Sequence, residues 1–348
     1  MEFSQAELDD LQRRLDATRW PDQLPGVEWS YGVERGRLQD VVEYWRTSYD
    51  WRRFENKLNA YPQHVTEIDG QQVHFVHTTS GGIPLLLMHG WPGSGTDFLD
   101  LIEPLQDTFD LVIPTMPGFG LSGPTTATGW GTERIAKAWV TLMEQLGYER
   151  YGVHGYDWGG RIAPVLARLV PDRVIGLHLD GYLAFPKGED LTEAEQQRLS
   201  GLDKWQSERS GYAAIQSTRP QTLAYALNDS PVGQLAWNLE WYDDYGNKVG
   251  AISNDQILDS VTLTWLTRTA GSSGRIYREA QDSWGAEVDY CPVPTELAVF
   301  PGDSTVRKLV ERELNVVHYN EFDRGGHFAA LEAPDLVIED LHAFFGKL

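Results

Sequence analysis

In the stretch "VHGYDWGGRIA", residues 153 to 163, a carboxylate sits where a short apolar run gives way to a helical one. Gly155 and Gly159 flank Asp157, and glycines at those two places allow the tight strand-to-helix turn of a nucleophile elbow. Serine in that position attacks acyl carbons. An aspartate is suited to an sp³ carbon bearing a leaving group, and the product of that attack is an alkyl ester on Asp157. The competing role is plain helix capping, for which aspartate is a favoured residue.

The groups needed to hydrolyse such an ester follow in the chain. His327, in "DRGGHFAALEAP", comes just after the last expected strand, and Asp303, in "VFPGDSTV", ends the strand before it. Nucleophile, acid and histidine in that order are the α/β-hydrolase arrangement. His327 would activate water, and Asp303 would orient the imidazole and stabilise its cation, or cap a helix over "STVRKLVEREL". The loop "MHGWPGSG", residues 88–95, follows the first strand of the body. It is expected to supply one oxyanion-hole donor, the backbone N–H of Trp91, with the N–H of Trp158 as the second. His89 is expected to hold that loop and not to act as a second base. The first-step leaving group separates two chemistries. A halide needs only weak donors such as indole N–H, whereas an epoxide oxygen needs a proton donor, which tyrosines over the site could supply.

These residues need strands that end together beneath a cover. Ser4 and Glu7 form a capping-box pattern before Leu8, Leu11 and Leu15, and the helix stops by Trp20-Pro21. A second helix is expected around "LQDVVEYW", then a hairpin in "HVTEIDGQQVHFVH" turning at Asp69-Gly70. From residue 83, "IPLLLMH", "DLVIPTM", "YGVHGYD" and "VIGLHLD" alternate with helical stretches, and strands return at "PTELAVF" and "NVVHYNEF". This pattern predicts an α/β-hydrolase fold: an N-terminal extension over 1–78, a core over 79–183 and 286–348, and a helical cap inserted over 184–285. Of 13 tryptophans, Trp205, Trp237, Trp241 and Trp265 fall in the insertion as candidates for an apolar pocket or for core packing.

The 348 residues include 51 acidic and 29 basic ones, a formal charge of −22, which argues against nucleic acid and anionic membrane as partners. Cys291 is the only cysteine, so no intrachain disulfide forms and a reducing, cytoplasmic setting is expected. Runs such as "IPLLLM" are too short to span a bilayer, and a soluble protein is expected. No metal or cofactor motif is present. Any oligomer is expected to be a homodimer.

Nearly the whole chain resembles the epoxide hydrolases of the microsomal epoxide hydrolase-like group. The resemblance lies in "RWPD", "HGWPGS", "GYDWGGRIA", "SGYAAIQSTRPQTLAYALNDSPVG", "SSGRIYRE", "FPGD" and "RGGHFAALEAP". It implies Asp157 as nucleophile, His327 as base and Asp303 as acid, where some members carry glutamate. It also implies Tyr212 and Tyr277 as the ring-opening tyrosines, which composition could not select among 15. The membrane-anchoring segment of the microsomal enzyme has no counterpart, so the similarity is to soluble bacterial members, some of which act in antibiotic pathways, enediyne assembly included. The implied partners are a small-molecule epoxide and water, without cofactor, in biosynthesis or detoxification. A haloalkane dehalogenase, with Trp158 as halide-binding indole, is the alternative. A non-catalytic hydrolase-fold binding protein is a third reading, opposed by the presence of all three triad positions.

Overall fold

Ile83–Met88 shows how the molecule is layered: Leu85 and Leu87 point into one buried cluster, and Leu86 and Met88 into another. Side chains alternate across a strand, so this sheet is covered on both faces. The computed structural model describes residues 1–348. Its strands are β1 (Gln63–Ile68), β2 (Gln71–Thr78), β3 (Ile83–Met88), β4 (Phe109–Pro114), β5 (Tyr151–Tyr156), β6 (Val174–Asp180), β7 (Cys291–Val299) and β8 (Leu314–Glu321). They form one sheet in the order β1-β2-β4-β3-β5-β6-β7-β8. The strands from β3 to β8 pair parallel, while β2 runs antiparallel to both β1 and β4. The chain therefore has the α/β-hydrolase fold expected of it.

One face packs on the helices Thr132–Gln145 and Trp158–Leu169 through Trp139, Leu142, Ile162 and Leu166. The other packs on the C-terminal helix Pro334–Phe345 and the N-terminal helices. The capping box on Ser4 and Glu7 is formed. Asp69 and Gly70, both at positive φ, make the two-residue turn between β1 and β2. This hairpin, grouped in sequence with the N-terminal extension, is instead the edge of the main sheet, since Phe75 pairs with Pro114 of β4. Cys291 begins β7 and is fully buried. No helix is long and apolar enough to cross a membrane.

Between β6 and β7 the regular structure is entirely helical, from Glu193 to Ser283. Helix Glu193–Lys204 contributes no buried residue, whereas Asn254–Leu266 buries ten in succession. The N-terminal helices fasten to the well-packed part. Arg37 donates to both carboxylate oxygens of Asp243, at 2.8 and 3.2 Å, and to Asn254 at 2.9 Å. Tyr44 reaches Asp255, and Tyr49 and Arg53 converge on Asp259.

The Asp243 side chain is fully buried, so loss of Arg37 strands a charge away from water. Arg37→Met is expected to destabilise the fold by about 3–5 kcal/mol, read as a shifted urea midpoint. A variant as stable as the wild type would show that this pair does not fasten the two segments.

Candidate active site

Asp157 ends β5 and starts helix Trp158–Leu169 with φ 49° and ψ −119°, a conformation that L-residues rarely adopt. The crowding around it explains the glycines. A Cβ on Gly159 would lie 2.0 Å from the carbonyl oxygen of Met88, and one on Gly90 would lie 2.3 Å from Asp157 Oδ1. Asp157 occupies the N-cap position, yet its side chain makes no capping bond. Its carboxylate turns the other way, where Trp91 N–H donates to Oδ1 at 2.8 Å. The Trp158 N–H opens the same helix and has no intrahelical acceptor. His89 is sealed in the core; its Nε2 accepts from Met116 N–H at 2.9 Å and its Nδ1 lies 2.9 Å from the Gly90 carbonyl. Burial lowers its pKa to about 4, so it is a neutral brace for the loop, as expected.

His327 Nε2 stands 3.7 Å from Asp157 Oδ2, outside hydrogen-bond distance but facing it. Its ring packs on Trp241 at 4.6 Å and edge-on to Phe328 at 4.8 Å. Asp303 lines the same cavity, where burial raises its pKa. Its Oδ1 accepts from the Thr305 N–H and hydroxyl, both at 2.6 Å, and it makes no hydrogen bond to His327. Nor does Asp303 cap a helix: the expected helix over "STVRKLVEREL" shrinks to Arg307–Val310, whose N-cap is Val306.

Tyr212 and Tyr277, 65 positions apart in sequence, meet edge-to-face with ring centroids 5.6 Å apart. Both pack on Trp91, Tyr212 stacked at 5.1 Å and Tyr277 edge-on at 5.7 Å, and Tyr277 also meets Trp158 at 4.9 Å. Burial above all, with the negative charge of Asp157 acting on each, holds both phenols well above the ordinary tyrosine range. They stay protonated at neutral pH and can donate.

A cavity of about 330 Å³ lies over Asp157, walled by Asp303 and His327 on the sheet side and by Trp205, Tyr212, Trp241 and Tyr245 on the insertion side. Tyr212 lines the cavity, and Tyr277 packs edge-on against it and on Trp158 beside the nucleophile. The tryptophans of the insertion divide accordingly. Trp205 and Trp241 line the cavity, Trp237 donates to Gln216, and Trp265 lies in the core under Arg14. Sequence reasoning missed three neighbours. Tyr156 precedes the elbow and donates to buried Asp97. Asp180 ends β6 at the cavity wall, its carboxyl pushed up to about 7 by burial. Arg161 lies one helical turn beyond Asp157, a spacing that should have marked it. His154, His178 and Asp180 gather behind the site and could in principle hold an ion. His154 Nδ1 and His178 Nδ1 already share a 3.0 Å contact, and His178 Nε2 meets Asp340 at 3.1 Å, which makes this a proton-sharing network.

Residues 1–98 match the family model described as "Epoxide hydrolase N terminus", and residues 83–222 match the α/β-hydrolase fold model. The chain is 43% identical to the protein named "Putative epoxide hydrolase" of Stigmatella aurantiaca, over 99% of this chain and 83% of that protein. It is 33% identical to Epoxide hydrolase 1 of Sus scrofa, over 100% of this chain and 88% of that protein. The solved structure of Aspergillus niger epoxide hydrolase superposes with a TM-score of 0.89 at 30% identity, covering 100% of this chain and 95% of that one. Juvenile hormone epoxide hydrolase from the silkworm Bombyx mori superposes with a TM-score of 0.91 at 28% identity, over 100% and 93%.

Proposed function

This chain belongs to the epoxide hydrolase family and is an epoxide hydrolase, and we propose that it opens its substrate through a covalent ester on Asp157. One observation carries this route: the Trp91 N–H holds Oδ1, which leaves Oδ2 turned toward His327. Oδ2 attacks an oxirane carbon, and the C–O bond breaks with its electron pair moving to oxygen. Tyr212 or Tyr277 gives that oxygen a proton. His327 then takes a proton from water as the water oxygen adds to Cγ. The oxyanion formed on Oδ1 is held by the backbone N–H groups of Trp91 and Trp158. Collapse expels the diol oxygen, which is reprotonated by the imidazolium, and the carboxyl proton returns to the tyrosinate. Asp303 stabilises the imidazolium by charge. Because its Oδ1 is engaged by Thr305, we assign it a supporting role in this geometry.

The insertion acts as the cap that closes this site. Its cavity of about 330 Å³ is at the small end for ligand pockets, which favours compact epoxides over polycyclic ones.

A single turnover in heavy-oxygen water tests the route. Solvent label should enter the Asp157 carboxylate while the first diol carries unlabelled enzyme oxygen. Label found directly in that diol would mean that water, not Asp157, attacks the epoxide.

A further inference from the structure

Three cationic side chains line the cavity: Arg161, Arg209 and Lys248. Arg209 pairs with Asp244 at 3.1 Å and Lys248 with Glu332 at 3.4 Å. Arg161 has no carboxylate within 4.0 Å. Its Nε is sealed from solvent without a partner, and its one hydrogen bond is a 3.3 Å contact from Nη2 to the Ser283 carbonyl. The guanidinium carbon lies 4.0 Å from the centroid of the Trp284 ring. A guanidinium carries five N–H donors; in Arg161 the Nε donor is buried without an acceptor and only one contact engages the terminal nitrogens, which leaves donors free at the cavity for a ligand. Burial works against the cation here, and Asp157 and Glu313 offset it only at longer range. Glu313 is occupied by the Tyr182 hydroxyl at 2.9 Å, and the two oxygens of Asp157 face Trp91 and His327.

We infer that Arg161 is the anchor of a carboxylate subsite, and that the enzyme's substrates are compact epoxides bearing a carboxylate. This rests on the reading that the cavity over Asp157 is the substrate site. Arg161 is four residues along the helix from Asp157, so the two backbones are about 6 Å apart along the axis. Asp157 and Arg161 line one cavity, so a ligand with an oxirane at one end of an aromatic ring and a carboxylate at the other could meet both, and the tryptophan and tyrosine walls suit the ring. A planar carboxylate also matches the guanidinium fork, with two parallel N–H donors.

The test compares two unreactive probes, 4-ethylbenzoate and 4-ethylbenzamide, by calorimetric titration of the full chain. The wild type should bind the benzoate tighter by about tenfold or more, the span of a charge-assisted pair. Arg161→Gln should bring the ratio close to one, and Arg161→Lys should retain part of it. Equal binding of the two probes by the wild type overturns the inference, and this arm needs no variant to fold. Equal weakening of both probes in Arg161→Gln also overturns it, since that would show a structural role. The probes carry no oxirane, so failure of the Asp157 route in the heavy-oxygen experiment leaves this ratio unaffected, and failure of the ratio leaves that route unaffected.

Discussion

His327→Gln should stop the reaction halfway. The variant retains Asp157, the Trp91 donor and both tyrosines, so alkylation proceeds and the protein gains the mass of one substrate. No group remains to take a proton from water, and ester hydrolysis should slow by about a thousandfold, within the usual range for a lost general base. A burst equal to one enzyme equivalent, followed by near silence, is the kinetic signature, and peptide mapping should place the adduct on Asp157. The His327 ring packs against Trp241 and Phe328, so glutamine removes some aromatic contact, and a folded-state check by circular dichroism belongs with the measurement. Wild-type turnover by the folded variant, or an adduct on another residue, would refute the assigned pair.

The second large effect concerns ring opening. Tyr212 and Tyr277 share one aromatic platform on Trp91, and burial keeps both phenols protonated. Either can therefore substitute in part for the other. Single Tyr→Phe changes should slow alkylation by about 10- to 100-fold, while the double change should cost about a thousandfold or more, because no donor would remain for the developing alkoxide. Phenylalanine keeps the ring contacts, so the loss reports the hydroxyl alone. Stopped-flow tryptophan fluorescence would follow the step. An unchanged alkylation rate in the double variant would remove both residues from the mechanism.

Some of this architecture is legible in sequence because local backbone chemistry leaves few choices. Gly155 and Gly159 around Asp157 are demanded by a turn that admits no Cβ, Asp69-Gly70 by a two-residue hairpin, and Ser4 with Glu7 by a helix start. The rest depends on where distant segments meet. No periodicity indicates that β1 and β2 extend the main sheet, because an edge hairpin has the same pattern in an appended unit. The spacing of Arg161 places it beside Asp157, but the covering of its guanidinium by Trp284 depends on how the insertion folds. The place of Asp303 just after β7 reads clearly in the sequence, but its hydrogen bonds are decided by Thr305 two residues later. The tyrosines stand out in sequence only through the family resemblance, since their meeting depends on how helices Gly211–Thr218 and Arg275–Glu279 pack.

The fastening of the N-terminal helices to the insertion has a consequence for timing. Arg37, Tyr44, Tyr49 and Arg53 grip the segment from Asp243 to Asp259, so that wall of the cavity cannot swing without breaking several charged contacts together. Helix Glu193–Lys204 has no buried residue and is held to the core through one side chain, Arg198, which donates to the Thr305 carbonyl and the Tyr319 hydroxyl and pairs with Glu321 at 2.9 Å, yet with the turn that follows it brings Leu202, Trp205 and Arg209 to the cavity. Local opening draws on the least buried elements. Epoxide is therefore expected to enter and diol to leave past this thinly buried helix, and a slow exit there would set the turnover rate even if both chemical steps were fast.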